Sequence, residues 1–173
     1  MPLSWTTETI GPLARDARTV GLVFGLLRGP DGLDPRAGEL PPLPPTGVPA
    51  DLRGLRIARP GGYLTELCDG AVRAGVDHLV DVLTGAGAEI VAGEIAAQSR
   101  ATMLGNLTGA PGLALPTGFA PDGCPVSALL IARPHDEITA LRVAALFQDR
   151  TEHHSRRPPI ADRIGDPFPP AYV

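Results

Sequence analysis

Residues 106–142 have the sequence NLTGAPGLALPTGFAPDGCPVSALLIARPHDEITALR, and this stretch decides the fold of the chain. Two short apolar runs, residues 112–117 and 126–132, flank a connection that contains Pro-Asp-Gly, which favours a tight turn. The pattern predicts a strand, a turn, a second strand and then a helix from Asp136. Both apolar runs are nearly continuous, so we expect helices to cover both faces of these strands.

A second unit precedes this stretch. Residues 52–58 and 88–91 have the composition of strands, and between them apolar residues recur at helical spacing over residues 66–84. Strand, helix and strand in this order predict a parallel βαβ unit with a right-handed crossover. The helix is expected to bury one face, formed by Val72, Val76, Leu79 and Leu83.

The N-terminal part is predicted to hold one helix and a proline-rich connection. The helix begins at Pro12, a residue suited to a first helical turn, and one apolar stripe follows it. Residues 29–50 contain seven prolines and are interpreted as an extended surface connection, with a polyproline II ligand for another protein as the alternative. The stripe consists of Leu13, Ala17, Val20, Phe24 and Leu27.

Composition bounds the class of protein. The 173 residues include 15 basic and 19 acidic side chains, a net charge of -4, so there is no electrostatic reason to expect binding to nucleic acid or to an anionic membrane. The length suits a single domain over residues 1–173, with a C-terminal tail over residues 158–173. Two distant cysteines, the lack of a signal peptide and the lack of a long apolar run predict a cytoplasmic protein with free thiols.

Several short motifs in the second half of the chain follow one another in a known order. Asn106-Leu-Thr-Gly109 and Leu115-Pro-Thr-Gly118 precede Asp122-Gly123, Arg133-Pro134 and, near the end, Arg156-Arg-Pro-Pro159. In this order and spacing they resemble the C-terminal part of an amidase-signature enzyme. The resemblance implies an α/β fold, namely a truncated amidase-signature-like mixed sheet of about four to five strands covered by helices. It also implies that the front of the family's fold and a long helical insertion are missing.

The resemblance further implies a missing catalytic centre. Amidase-signature enzymes use a Ser-Ser-Lys triad, in which the lysine is the base and a serine attacks the amide carbonyl. All 15 basic side chains of this sequence are arginines, and arginine cannot replace the lysine because it stays protonated. The chain by itself is therefore not expected to be an amidase, and whether it is another kind of enzyme stays open.

Five residues are weak candidates for other chemistry. Cys124 follows a turn at the start of a strand, where a thiol could face a cleft, and Asp122 precedes it. His153, which follows Glu152, and His135, which precedes a helix, carry imidazoles that can exchange a proton near neutral pH. For each candidate, a structural role in a turn or a helix cap is the alternative. No metal ion and no cofactor are expected.

Three functions remain open at this point. A fragment of the family fold would expose apolar surface that a second copy could cover. This favours a repurposed, catalytically incompetent pseudoenzyme that binds or transforms a small molecule, for instance in biosynthesis, as a homodimer or higher oligomer. The alternative is a non-catalytic C-terminal subunit of a split amidase, whose partner would supply the lysine and the serines. A decayed remnant without a function comes third.

Overall fold

The computed structural model describes residues 9–33, 38–40, 42–62, 68–93 and 108–159. The predicted α/β class is confirmed, with one parallel and one antiparallel pair of strands. Within these residues the four strands form two two-stranded sheets, whereas the sequence suggested one mixed sheet. The elements in chain order are α1 (Ala17–Leu27), β1 (Arg56–Pro60), α2 (Gly70–Gly85), β2 (Glu89–Gly93), β3 (Gly112–Phe119), β4 (Pro125–Ile131) and α3 (Glu137–Asp149).

Helix α3 lies at the centre of the core. Seven of its 13 residues are buried, and Phe147 has no exposed surface at all. The helix packs against α1, α2 and β3, and the other large buried side chains come from these neighbours, among them Leu83 and Leu115. An amphipathic helix would bury one stripe only, so α3 is covered on more than one side. Its buried residues are Ala140, Leu141, Val143, Ala144, Ala145, Leu146 and Phe147.

The predicted βαβ unit is present, with β1 and β2 parallel and in register from Arg56 opposite Glu89 to Pro60 opposite Gly93. Helix α2 begins at Gly70, because the Asp69 carboxylate accepts a hydrogen bond of 2.9 Å from the Val72 amide and caps the helix. The part of the predicted helix before residue 68 lies outside the described residues. On the predicted buried face, Leu79 and Leu83 are buried, whereas Val72 and Val76 are half-buried.

Helix α1 differs from its prediction. It begins at Ala17 and not at Pro12, because the Asp16 side chain accepts a hydrogen bond of 2.8 Å from the Thr19 amide. The predicted apolar stripe is wrong at both ends, since Leu13 is 100% exposed and Leu27 is 61% exposed. The helix instead approaches its neighbours through the small buried residues Ala17 and Gly21. A β-carbon at Gly21 would collide with Thr46 and lie 3.3 Å from Leu141 Cδ1.

The hairpin of β3 and β4 is covered on one face only. Val126 of β4 is 8% exposed, whereas Leu129 and Ile131, which point to the other face, are 38% and 41% exposed. The expectation that helices cover both faces is therefore wrong for the described residues. The register also shifts between Pro116 and Gly118, and this irregularity contains the buried Thr117.

The remaining expectations concern the connections. The described parts of residues 29–50 contain neither helix nor strand, in agreement with the interpretation as a connection. The C-terminal tail from residue 160 and the first two residues of the Asn106 motif lie outside the described residues, and the single domain stays a prediction. Among the described residues, no helix is both long enough and apolar enough to cross a membrane.

Candidate functional site

The hairpin separates the five candidate residues. Asp122 and Cys124 lie at its turn, and His153 contacts Phe119 at the same end, with 6.2 Å between the two ring centroids. His135 follows the far end of β4. The seven residues of β4 span roughly 23 Å. His135 therefore cannot share a site with Asp122, Cys124 and His153 at the opposite end of the hairpin.

The turn residues Asp122 and Cys124 interact through hydrogen bonds. The Asp122 Oδ1 accepts a hydrogen bond of 3.0 Å from the Cys124 amide, which fixes the turn together with the positive φ of 83° at Gly123. This hydrogen bond is the main cause of a lowered pKa at Asp122. A hydrogen bond with the same carboxylate, and its negative charge, raise the pKa of the exposed Cys124 thiol. Since the thiolate is the reactive form, this raised pKa favours the structural interpretation of the turn.

His153 lies in an aromatic cluster. Its ring stacks on Phe147 with 6.0 Å between centroids and meets His78 edge to face at 5.2 Å. His78 also contacts Phe147, with 5.8 Å between the ring centroids, and it remains exposed to solvent. Within the described part of the chain, the buried Nε2 of His153 has no hydrogen-bond partner. At the turn end of the hairpin, the Arg156 guanidinium also lies over the Phe119 ring, 4.1 Å from its centroid, in a cation–π contact.

Burial is the main cause of a lowered pKa at His153, and electrostatic interaction with the neighbouring His78, Arg156 and His154 lowers it further. This shift favours the neutral imidazole. A general base needs a group that orients it through a hydrogen bond, and within the described residues the Nε2 of His153 has no such partner. The cluster is thus better suited to anchoring the residues after α3 than to catalysis.

Glu152 and His135 occupy turns. The Glu152 carbonyl accepts hydrogen bonds from the Ser155 and Arg156 amides at 3.1 and 3.2 Å, while its side chain is exposed. His135 is exposed and has a positive φ of 66°. The following Asp136 occupies the N-cap position of α3, but its carboxylate accepts a bond of 2.7 Å from the Thr139 hydroxyl and caps no backbone amide. The expected capping role is therefore only partly present.

The structure brings together residues that the sequence pattern did not connect. A cleft of about 520 Å³ lies between the first turns of α2 and the carboxyl ends of β1 and β2. Its apolar lining includes Val72, Val76 and Ile90, all half-buried. The sequence pattern did not reveal the cleft because three separate segments form it. The one available signal was the valine pair, which was assigned to the buried face of the helix.

Among the described residues, three charged side chains border this cleft, which we call the strand-end cleft. Arg59 Nη2 lies 2.5 Å from the Asp77 Oδ1, and Arg73 Nε donates a hydrogen bond of 2.9 Å to the Cys68 carbonyl. Two guanidinium groups face one carboxylate, so the charge of the bordering groups is +1. Within the described residues there is no cluster of three or more His, Cys, Asp or Glu side chains that could hold a metal ion.

Comparison with known proteins supports the resemblance over part of the chain. No family model matches. The chain is 52% identical over 56 residues to the A subunit of glutamyl-tRNA(Gln) amidotransferase from Chloroflexus aggregans, which is 32% of this chain and 11% of that protein. The corresponding proteins of Carboxydothermus hydrogenoformans and Oceanobacillus iheyensis are 50% identical over 60 residues (34% of this chain and 12% of that protein) and 40% identical over 55 residues (32% and 11%).

The matched segment thus spans about a third of this chain and about a ninth of the relatives' length. These relatives are amidase-signature proteins, so an amidase-signature-like C-terminal part is supported. Because the match is short, what the whole relatives act on is not carried over to this chain.

Proposed function

We propose that these 173 residues form an amidase-signature-like domain that binds or transforms a small molecule and does not hydrolyse amides by a Ser-Ser-Lys mechanism. The observation that carries this proposal is the missing lysine in a sequence that is otherwise similar to amidase-signature proteins over a third of its length. A Ser-Lys mechanism needs a lysine that can lose its proton, and the arginines present cannot do so at neutral pH.

The five candidate residues add no replacement for this mechanism. The thiol of Cys124 is paired with the Asp122 carboxylate, and His153 packs among the rings of Phe147, His78 and Phe119 near the Arg156 guanidinium. His135 lies at the opposite end of the hairpin. A repurposed binding domain therefore agrees better with the described residues than a second hydrolytic centre does.

The hydrolytic part of the proposal is tested with the purified chain and benzamide, a simple carboxamide, by measuring released ammonia. We expect no release above that of buffer, with an active amidase as the positive control. Release that scales with the concentration of the chain, and that survives further purification, would contradict the proposal.

Self-association is the second part of the proposal, and helix α1 supports it. Six leucine and isoleucine side chains on or next to α1 are 61% to 100% exposed. If each offers about 100 Å² of apolar surface, the total of roughly 600 Å² approaches the ~800 Å² per partner of a standard interface. Exposed apolar surface of this size is usually covered by a partner. The six residues are Ile10, Leu13, Leu22, Leu26, Leu27 and Leu33.

Light scattering after size exclusion tests this part. We expect a particle of at least twice the 18.0 kDa of one chain, that is 36.0 kDa or more. Leu22→Gln combined with Leu26→Gln should give a monomer, because both leucines lie one turn apart on the exposed side of α1. Ile131→Gln, on the exposed face of the hairpin, is the matched control and should leave the mass unchanged. A wild-type monomer at micromolar concentration would contradict self-association.

The other expectations from the sequence stand as proposals alongside these. They are a cytoplasmic location, a single domain over residues 1–173 and no binding to nucleic acid or membrane. A biosynthetic role is also proposed; it rests on the survival of the amidase-signature-like fold and on no particular site.

A further inference from the structure

The strand-end cleft has the position at which α/β units bind ligands. Ligands of parallel sheets bind beyond the carboxyl ends of the strands, near the first turn of the following helix. Here β1 ends at Pro60, β2 ends at Gly93 and α2 begins at Gly70. Residues from all three ends line the cleft, and its volume of about 520 Å³ falls within the range of small-molecule sites, roughly 300–1,000 Å³.

The cleft exists because α2 packs more closely against the β3–β4 hairpin than against β1 and β2. Gly75 of α2 approaches the hairpin, where an added β-carbon would lie 2.7 Å from Thr117 Oγ1 and 3.0 Å from Val126 Cγ2. On the side of the βαβ unit, Val72 and Val76 are only half-buried. Covering partly exposed apolar side chains with an apolar molecule removes their surface from water and lowers the free energy. The lining therefore favours a ligand with an apolar body.

The bordering charges favour an anionic group on that ligand. Asp77 holds the Arg59 side chain at the cleft, and the Arg59 side chain stays 39% exposed. A guanidinium has five N–H donors, and a carboxylate accepts two of them in parallel. Arg73 is held in turn by the Cys68 carbonyl, and the positive end of the α2 dipole adds to the same field.

We propose that the strand-end cleft binds an apolar monocarboxylate, with its carboxylate on Arg59 and its apolar body against Val72 and Val76. This inference rests on the proposed small-molecule-binding function and names the place and the chemical class of the ligand. It makes no use of the five candidate residues that the sequence suggested.

Titration calorimetry with 4-phenylbutyrate tests the inference, with uncharged 4-phenylbutan-1-ol as the matched probe of equal apolar body. We expect the acid to bind at least about tenfold more tightly than the alcohol, because a charge-assisted hydrogen bond is lost in the latter. Amide shifts in NMR spectra should change at Val72, Val76 and Ile90, and not at the hairpin turn.

Arg59→Gln should weaken binding of the acid by about tenfold or more and leave binding of the alcohol within about twofold. Arg59→Lys keeps the charge but loses the paired N–H donors, so its affinity for the acid should lie between those of wild type and Arg59→Gln. Arg53→Gln is the matched control, since Arg53 also pairs with an aspartate, Asp51 at 2.6 Å, but lies outside the cleft. Circular dichroism confirms that each variant is folded.

Equal affinity for acid and alcohol, shifts that map outside the cleft, or an Arg59→Gln variant that binds like wild type would each overturn the inference. A thermal-shift screen of varied metabolites separates this failure from a failure of the proposed function. If the screen finds a ligand that binds elsewhere, the inference fails and the proposed function stands. If nothing in the screen binds, both fail.

Discussion

Helices α1 and α3 pack against each other but differ sharply in how much of their apolar surface the fold uses. Helix α3 buries seven of 13 residues, whereas α1 buries two of 11, Ala17 and Gly21. The leucines of α1 point away from the core, and Leu26 is 79% exposed. Since both sequences are rich in apolar residues, composition does not explain the difference. The number of neighbours does, because α3 lies between α1, α2 and β3.

The comparison indicates two kinds of apolar surface in this chain. The side chains of α3 hold the described fold together, while those of α1 are available for a partner. Mutations in α3 should therefore change the free energy of unfolding, whereas mutations of the exposed leucines of α1 should change the mass of the particle in solution.

Truncation of the central aromatic residue is expected to have the largest effect. Phe147→Ala removes a side chain with no exposed surface, so the free energy of unfolding should fall by about 3–5 kcal/mol. Leu26→Ala in α1 should change it by less than about 0.5 kcal/mol. Urea unfolding, at a concentration at which the protein is monomeric, measures both. Equal losses would refute the assignment of α3 as the centre of the core.

A glycine of α2 provides the second test of tight packing. Gly75→Ala would place a β-carbon 2.7 Å from Thr117 Oγ1, so we expect a loss of about 1–3 kcal/mol in the free energy of unfolding. Gly70→Ala, at the start of the same helix, meets no atom within 4 Å. It should be neutral or slightly stabilising because alanine favours helix. The prediction fails if both variants unfold alike.

The ring cluster around His153 should make stability depend on pH. The folded state lowers the His153 pKa below its ordinary value of 6.5, so the unfolded chain binds this proton more readily. The stabilisation is present above pH 6.5, declines as the pH falls below that value and stops declining below the folded pKa. Thermal unfolding between about pH 7.5 and 5 measures the decline. His153→Phe should make the curve flatter, and His135→Phe, at an exposed turn, should not.

The smallest expected effect concerns the hairpin turn. Asp122 raises the pKa of Cys124, so the thiol should react slowly with iodoacetamide at about pH 8. Asp122→Asn removes the charge and should increase the rate of alkylation several-fold. Cys68→Ser in both proteins confines the reaction to Cys124. An unchanged rate would show that the carboxylate does not control the thiol.

The local elements could be predicted from the sequence to within a few residues. Apolar runs on either side of a turn predicted the hairpin, helical spacing predicted α1 and α2, and the helix after the hairpin was predicted from Asp136 onward. The start of α1 was predicted at Pro12, whereas the Asp16 side chain caps this helix and it begins at Ala17. Within the described residues α2 begins at Gly70, after its Asp69 cap, and the predicted start at residue 66 lies outside them. For the candidate site, the sequence pointed to His153 and Cys124. In the structure the His153 ring packs on Phe147 and a carboxylate raises the pKa of Cys124, and a role of either residue in chemistry stays a prediction.

What the sequence determined by itself was local or compositional. It determined the α/β class, the order of the elements and the lack of a lysine, because turn chemistry, periodicity and residue identity need no distant contacts. Tertiary structure alone decided which apolar faces are covered and which residues border the strand-end cleft. Those properties depend on contacts between segments far apart in the chain, such as Arg59 with Asp77 and Gly75 with Thr117, and no pattern within one segment encodes them.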